Sequence, residues 1–139
     1  MKLLGYRART EKELRERLAG KKYEVEEVDE VLTKLIKANL INDQELARNY
    51  VRDKLSISRR GPRRIYFELI RRGVAKDVAD HATKEIQKDD ELKTAQDLLQ
   101  SRQRQWAKLD PLKRKHRAIG LLARRGFSAD VLSQLLKEL

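Results

Sequence analysis

Cysteine is absent from the 139 residues. That excludes a disulfide framework, a thiolate metal site and a thiol nucleophile. Aromatic residues make up only 5%, and apolar positions recur in threes and fours rather than alternating, so strands are not expected. No segment approaches the roughly 18 consecutive apolar residues of a membrane span. The start, Met1-Lys2-Leu3-Leu4-Gly5-Tyr6-Arg7, lacks the apolar run of a signal peptide. A soluble, cytoplasmic chain without membrane contact is therefore expected. Catalytic signatures are missing too: there is no phosphate-cradling glycine loop, no metal cluster and no nucleophile paired with a base. His81 and His116 stand alone, without a second ligand at useful spacing. These absences argue against an enzyme, a cofactor, a metal or a small-molecule substrate.

What the chain has in excess is positive charge. Lysine and arginine number 33 against 22 acidic residues, a net charge of +11. Such a balance favours a polyanionic partner. The charge is uneven: residues 1–58 carry 13 basic and 11 acidic side chains, whereas 59–139 carry 20 and 11. The positive field belongs to the later region of the chain.

Its densest expression is Gly61-Pro62-Arg63-Arg64-Ile65-Tyr66-Phe67-Glu68-Leu69-Ile70-Arg71-Arg72-Gly73-Val74. Proline suits a first helical position and glycine the left-handed residue just past a helix end. Ile65, Leu69 and Ile70 form the apolar stripe between them, leaving arginines on the flanks. The same grammar returns at Asp110-Pro111-Leu112 through Arg124-Arg125-Gly126-Phe127, and in weaker form from Thr10 to Tyr23. Aligning Leu18, Leu69 and Leu122 brings Tyr23, Val74 and Phe127 into register, at spacings of 51 and 53 residues. A near-constant period of this length indicates tandem units that share a core with their neighbours, and these six positions are expected to be buried. Lys22 stands where the other copies have Gly73 and Gly126, so a different first turn is expected.

Helix signals fill each unit. Thr10 and Glu13 form a capping box. A helix to about Ala19 follows, then one over 24–37 led by Glu24, Glu26, Glu27, Asp29 and Glu30, and one opened by Asn42-Asp43 with Leu46 and Tyr50 inward. Ser56 to Arg60 connects to the second unit, whose later helices start near Ala75 and at Asp89 or Asp90. Gln100 to Lys108 either extends the last of these or frays. Ser128 caps a final helix with Val131, Leu132, Leu135, Leu136 and Leu139 inward. The expected fold is all-α, an array of three helix-turn-helix-like repeats at 1–58, 59–108 and 109–139, the last shortened to two helices. Tyr50, Tyr66 and Trp106 are read as packing residues, although aromatic platforms can also stack bases. Phe67 follows Tyr66, so one of the two must lie off the apolar stripe.

Several ordered stretches resemble the RecX family, the regulators of the bacterial RecA recombinase. They are Leu3-Leu4-Gly5-Tyr6-Arg7-Ala8-Arg9-Thr10-Glu11-Lys12-Glu13-Leu14, then Leu40-Ile41-Asn42-Asp43 with Leu46-Ala47 and Tyr50-Val51. Gly61-Pro62-Arg63-Arg64-Ile65 with Glu68-Leu69 and Arg72-Gly73-Val74 follows, and finally Leu122-Ala123-Arg124-Arg125-Gly126-Phe127. The resemblance implies an elongated, curved stack of three-helix repeats. It also implies a monomeric, non-catalytic protein that binds the RecA–single-stranded DNA filament and restrains its growth, ATPase, strand exchange and co-protease activity in recombination, DNA repair and the SOS response.

The expected contact surface is a basic strip made of Arg59, Arg60, Arg63, Arg64, Arg71 and Arg72 with Lys113, Arg114, Lys115, Arg117, Arg124 and Arg125. Stacked repeats would set the helices bearing them side by side. The alternatives are a sequence-nonspecific nucleic-acid binder and an ordinary solvated charged face. A groove-reading helix-turn-helix role is disfavoured, because the second helices carry many carboxylates that phosphates would repel.

Overall fold

The computed structural model describes residues 9–138; Leu139 and the opening residues through Ala8 lie outside the described residues. Among those described there are nine helices and no strand. They are α1 (Glu11–Gly20), α2 (Val25–Lys37), α3 (Asp43–Ser56), α4 (Pro62–Arg71), α5 (Lys76–Lys84), α6 (Lys88–Gln100), α7 (Gln103–Trp106), α8 (Pro111–Arg124) and α9 (Ala129–Glu138).

The local signals act where the residues place them. Thr10 Oγ1 accepts from Glu13 N at 3.1 Å while Thr10 N donates to Glu13 Oε1 at 2.9 Å, closing the capping box of α1. Asn42 caps α3 through its side-chain oxygen, which accepts from Glu45 N at 3.1 Å. Pro62 and Pro111 open α4 and α8. Gly73 and Gly126 end the same two helices with φ of 97° and 86°, a region open to glycine at no steric cost. Lys22 adopts φ 66° at the matching position. The first turn therefore keeps its geometry despite the lysine. Gln100 to Lys108 does not extend α6; the chain turns and forms the short α7.

Three hydrophobic cores hold the helices. Leu14, Val28, Leu32 and Ile41 form the first, with Leu18 and Leu35 packed against it. Leu46, Ala47, Val51, Ile65, Leu69, Val74, Ala79 and Ala82 form the second, from α3, α4 and α5. Ala95, Leu98, Leu121, Leu122, Phe127, Val131 and Leu135 form the third, from α6, α8 and α9. Grouped by core, α3 and α6 each join the arginine-rich helix that follows them.

Of the six positions aligned by period, Leu69, Leu122, Val74 and Phe127 are buried and Leu18 is half-buried. Tyr23 is not: it is 51% exposed, alongside the exposed Val25. The first core closes with two helices and Ile41, so nothing among the described residues covers the place that Val74 and Phe127 occupy in the larger cores. In the third core the buried carboxylate of Glu91 accepts from Ser128 N at 2.7 Å and from Ser128 Oγ at 3.2 Å. The start of α9 is thus capped from α6 as well as by Ser128 itself.

Candidate polyanion-binding surface

Each arginine-rich helix ends in Arg-Arg-Gly, and the two arginines of each pair do different things. Arg72 is half-buried. Its guanidinium grips the Glu13 carboxylate at 2.8 and 3.1 Å and lies 5.5 Å from the centre of the Tyr50 ring. Its carbonyl accepts from Thr10 Oγ1 at 2.7 Å, and Glu11 N donates to Asp43 Oδ1 at 3.1 Å beside it. The end of α4 is thereby tied to the start of α1. Arg125 has the equivalent role in the third unit. Its carbonyl accepts from Gly61 N at 2.6 Å, its guanidinium donates to Ser58 O at 2.8 Å, and Arg63 N donates to Gly126 O at 3.0 Å.

These links set the geometry of the strip. The carbonyls at the end of α8 satisfy free N–H groups at the start of α4, opposing the negative end of one helix dipole to the positive end of the next. The equivalent helices therefore meet end to start, not side by side as expected.

The close approach demands glycine on both sides. A Cβ built on Gly61 would come within 3.0 Å of Gly126 backbone, and one on Gly126 within 3.0 Å of Arg64 backbone.

Glu68 is the lone acid of α4, and it neutralises some of the arginine face. Its carboxylate takes Arg60 Nη1 at 2.8 Å and Arg64 Nε at 3.5 Å, and accepts from Tyr50 Oη at 3.3 Å. Burial, followed by the Glu68 charge, raises the pKa of the Tyr50 phenol. Tyr50 and Tyr66 both pack against the second core. Arg64 also reaches toward the Arg124 carbonyl at 3.5 Å.

Of the strip residues, Arg60, Arg64, Arg72 and Arg125 are thus engaged within the protein. Arg63, Arg71, Lys113, Arg114, Lys115, Arg117 and Arg124 are exposed and form no ion pair with a described residue. Arg63, Phe67 and Arg71 follow one another at four-residue steps along α4, which puts them on one outward face. Phe67 is 50% exposed, with the Arg63 guanidinium 6.0 Å from its ring centre and Tyr66 meeting it edge-on.

Arg59 stands at the mouth of the joint with a left-handed φ of 51°, unusual for arginine. Around it the cations crowd. Burial, and then the charges of Arg64, Arg102, Arg60 and Arg59, pull the pKa of Arg125 down.

The second helices are self-compensated, as their composition suggests. On α5, Lys84 pairs with Asp80 and His81 with Glu85, both at 2.9 Å. Among the described residues no group of three His, Asp or Glu could hold a metal ion, and no helix is long and apolar enough to cross a membrane.

Sequence reasoning gave no place in the site to Asp43, Glu68 and Arg102, and saw Glu13 only as a cap. Of these, Glu68 alone leaves a local trace, as a single acid among arginines.

Comparison with known proteins assigns this architecture. Models of the first, second and third three-helix domains of RecX match residues 1–35, 42–82 and 89–136. A regulatory protein RecX of Bacillus cytotoxicus is 35% identical over 98% of this chain and 50% of its own length. One from Bacillus thuringiensis is 32% identical with the same coverage. The chain thus spans about half the length of these curated relatives. The crystal structure of RecX from Lactobacillus salivarius superposes with a TM-score of 0.90 at 26% identity, covering 99% of this chain and 89% of that one. A second RecX crystal structure gives 0.88 at 26% identity, covering 99% and 68%. With all three of its helical units matched in order, the chain belongs to the RecX family.

Proposed function

We propose that this protein is a non-catalytic regulator that binds the RecA–single-stranded DNA filament and restrains its growth, ATP turnover, strand exchange and co-protease activity. The observation that carries this reading is the division of the basic strip. Arg72 and Arg125 tie neighbouring units together and Arg60 and Arg64 are held by Glu68, while seven further cations of the strip face solvent on α4 and α8 without a carboxylate partner among the described residues. Exposed cations on two adjoining helices, with Phe67 exposed among those of α4, are suited to an extended acidic surface. It gains association rate by electrostatic steering and offers an aromatic anchor of the kind that dominates protein interfaces.

Family membership supports the same reading, since the relatives are named regulatory proteins. RecA is the partner, single-stranded DNA enters within the filament, and the action takes place in the cytoplasm.

The test is RecA ATP hydrolysis on single-stranded DNA, titrated with this protein, with naked-DNA binding followed in parallel by fluorescence anisotropy at several salt concentrations. Inhibition well below the concentration that occupies naked DNA is the expected result. Inhibition only where the DNA itself is covered would instead make the protein a nonspecific DNA competitor, and no inhibition would refute the reading.

A further inference from the structure

Inside the chain the equivalent helices meet end to start, α8 on α4 and α4 on α1. That leaves two outer ends, the close of α1 and the start of α8. At the first, Lys22 holds the left-handed turn, and Tyr23 and Val25 beside it are 51% and 68% exposed. Glu24 and Glu26 lie next to them, exposed and in no ion pair with a described residue. At the second, Leu112 is 62% exposed. Asp110, Lys113 and Arg114 around it are exposed and equally unpaired among the described residues. α8 spans 14 residues against 10 in α1 and in α4, so its start extends about one turn past the length the repeat requires.

The interior joint between α8 and α4 shows what these groups fit. There the carbonyls of Arg125 and Gly126 accept from Gly61 N and Arg63 N, and the backbone of Phe127 lies against Gly61. The counterparts at the outer ends are open. Lys21 and Lys22, aligned with Arg125 and Gly126, have carbonyls that accept no hydrogen bond from a described residue. Asp110 N and Leu112 N, which correspond to Gly61 N and Arg63 N, donate to no described residue. Tyr23, aligned with Phe127, meets no helix start.

We propose that the two ends bind each other between copies, so that the close of α1 and the start of α2 in one copy receive the start of α8 of a second copy, head to tail. Lys22 and Asp110 stand where the interior joint has Gly126 and Gly61, and their Cβ atoms exclude its tight backbone form. The contact takes the polar form found between α4 and α1, where a cation meets a carboxylate. Lys21 and Lys22 face Asp110, Glu24 and Glu26 face Lys113 and Arg114, and Tyr23 and Val25 cover Leu112. Two α8 starts cannot pair in this way, because Lys113 and Arg114 would oppose themselves. The contact joins two different surfaces and is therefore heterologous, adding copies in one direction as the array itself adds units. Its area is small, so a dilute chain stays monomeric and the joint forms where copies are concentrated or held in a row. It makes no use of the outward face of Arg63, Phe67 and Arg71, and it does not rest on the RecA reading.

Because the chain has no cysteine, introduced thiols report on this contact alone. Tyr23→Cys and Leu112→Cys are made as separate full-length variants and mixed under mild oxidation. The mixture is expected to form a cross-linked pair about tenfold faster than either variant by itself, since only the mixture brings the two ends together. The double variant Tyr23→Cys, Leu112→Cys should give a ladder of dimers, trimers and longer species on a non-reducing gel. Adding Glu24→Lys and Glu26→Lys to the Tyr23→Cys variant should slow the cross-link severalfold with an unchanged circular dichroism spectrum. Adding Lys113→Glu and Arg114→Glu to its Leu112→Cys partner should restore the rate. Equal rates in the mixture and in the single variants would overturn the proposal, as would a double variant that stops at a dimer or charge reversal that restores nothing. Neither recombinase nor nucleic acid is present, so this result and that of the ATPase titration can fail independently.

Discussion

At its C-terminal end α4 is joined to α1 by side chains, and at its N-terminal end it is joined to α8 by backbone. The first joint consists of the Thr10 hydroxyl on the Arg72 carbonyl and the paired Glu13 and Arg72. The second consists of Gly61 and Arg63 N–H groups on the carbonyls of Arg125 and Gly126, at a separation that leaves no room for a Cβ. Arg72 and Arg125 are aligned by the repeat, yet one pairs with a carboxylate and the other with the Ser58 carbonyl. A single sequence motif can thus be built into two mechanically different contacts. The polar joint is held by a charge pair, whereas the glycine joint is held by backbone hydrogen bonds at a separation that admits no added bulk.

Several substitutions would break or sharpen this contrast. The largest effect is expected at the glycine joint. Gly126→Ala adds left-handed strain to a collision with Arg64 backbone, and should cost on the order of 3–5 kcal/mol in urea-unfolding stability. A loss below about 1 kcal/mol would mean that the joint yields.

At the polar joint, Arg72→Met leaves Glu13 and the Thr10 region without the cation they enclose. Both partners are mostly buried, with side-chain exposures of 19% and 25%, so the expected loss is about 1–3 kcal/mol. That loss should shrink in high salt, while the Gly126→Ala loss should not.

Arg63→Glu with Arg71→Glu changes only outward-facing side chains and should stay within about 0.5 kcal/mol of wild-type stability. Replacing Arg71 and Arg72 together would confuse a surface effect with the loss of a joint.

The smallest expected effect is a pH slope from Asp43 beside the polar joint. Burial above all, and then the neighbouring Glu11 and Glu13 charges, raise its pKa, against the hydrogen bond from Glu11 N and the attraction of Arg72. The folded chain therefore holds this proton more tightly than the unfolded chain. The contribution of Asp43 to stability is greatest below its unfolded pKa and falls as pH rises through the folded value. Urea unfolding across the carboxylate range should show Asp43→Asn lacking this decline.

What could be read without a structure was what neighbours in sequence determine. The Thr10 and Glu13 capping box, the proline starts, the Gly73 and Gly126 stops, and the burial of Leu69 and Leu122 all follow from spacings of a few residues. Arg71 and Arg72 are adjacent and chemically identical. Only a carboxylate 59 positions away separates the exposed one from the enclosed one. Gly61 reads as a helix start, and its stricter role appears only when Gly126 is seen against it.

Tyr23 misled for a related reason: the repeat places it in register with Val74 and Phe127, but burial depends on what a neighbouring helix covers. The end-to-start meeting of α8 and α4 is likewise a property of contacts, which a period of about fifty residues does not specify.

The most direct test of the central claim compares two proteins in RecA ATP hydrolysis on single-stranded DNA: wild type, and the Arg63→Glu, Arg71→Glu double variant with confirmed wild-type stability. The account predicts that wild type inhibits and that the folded variant needs at least tenfold more protein for the same inhibition. Equal inhibition by both would contradict it, because the outward face of α4 would then contribute nothing to binding the filament.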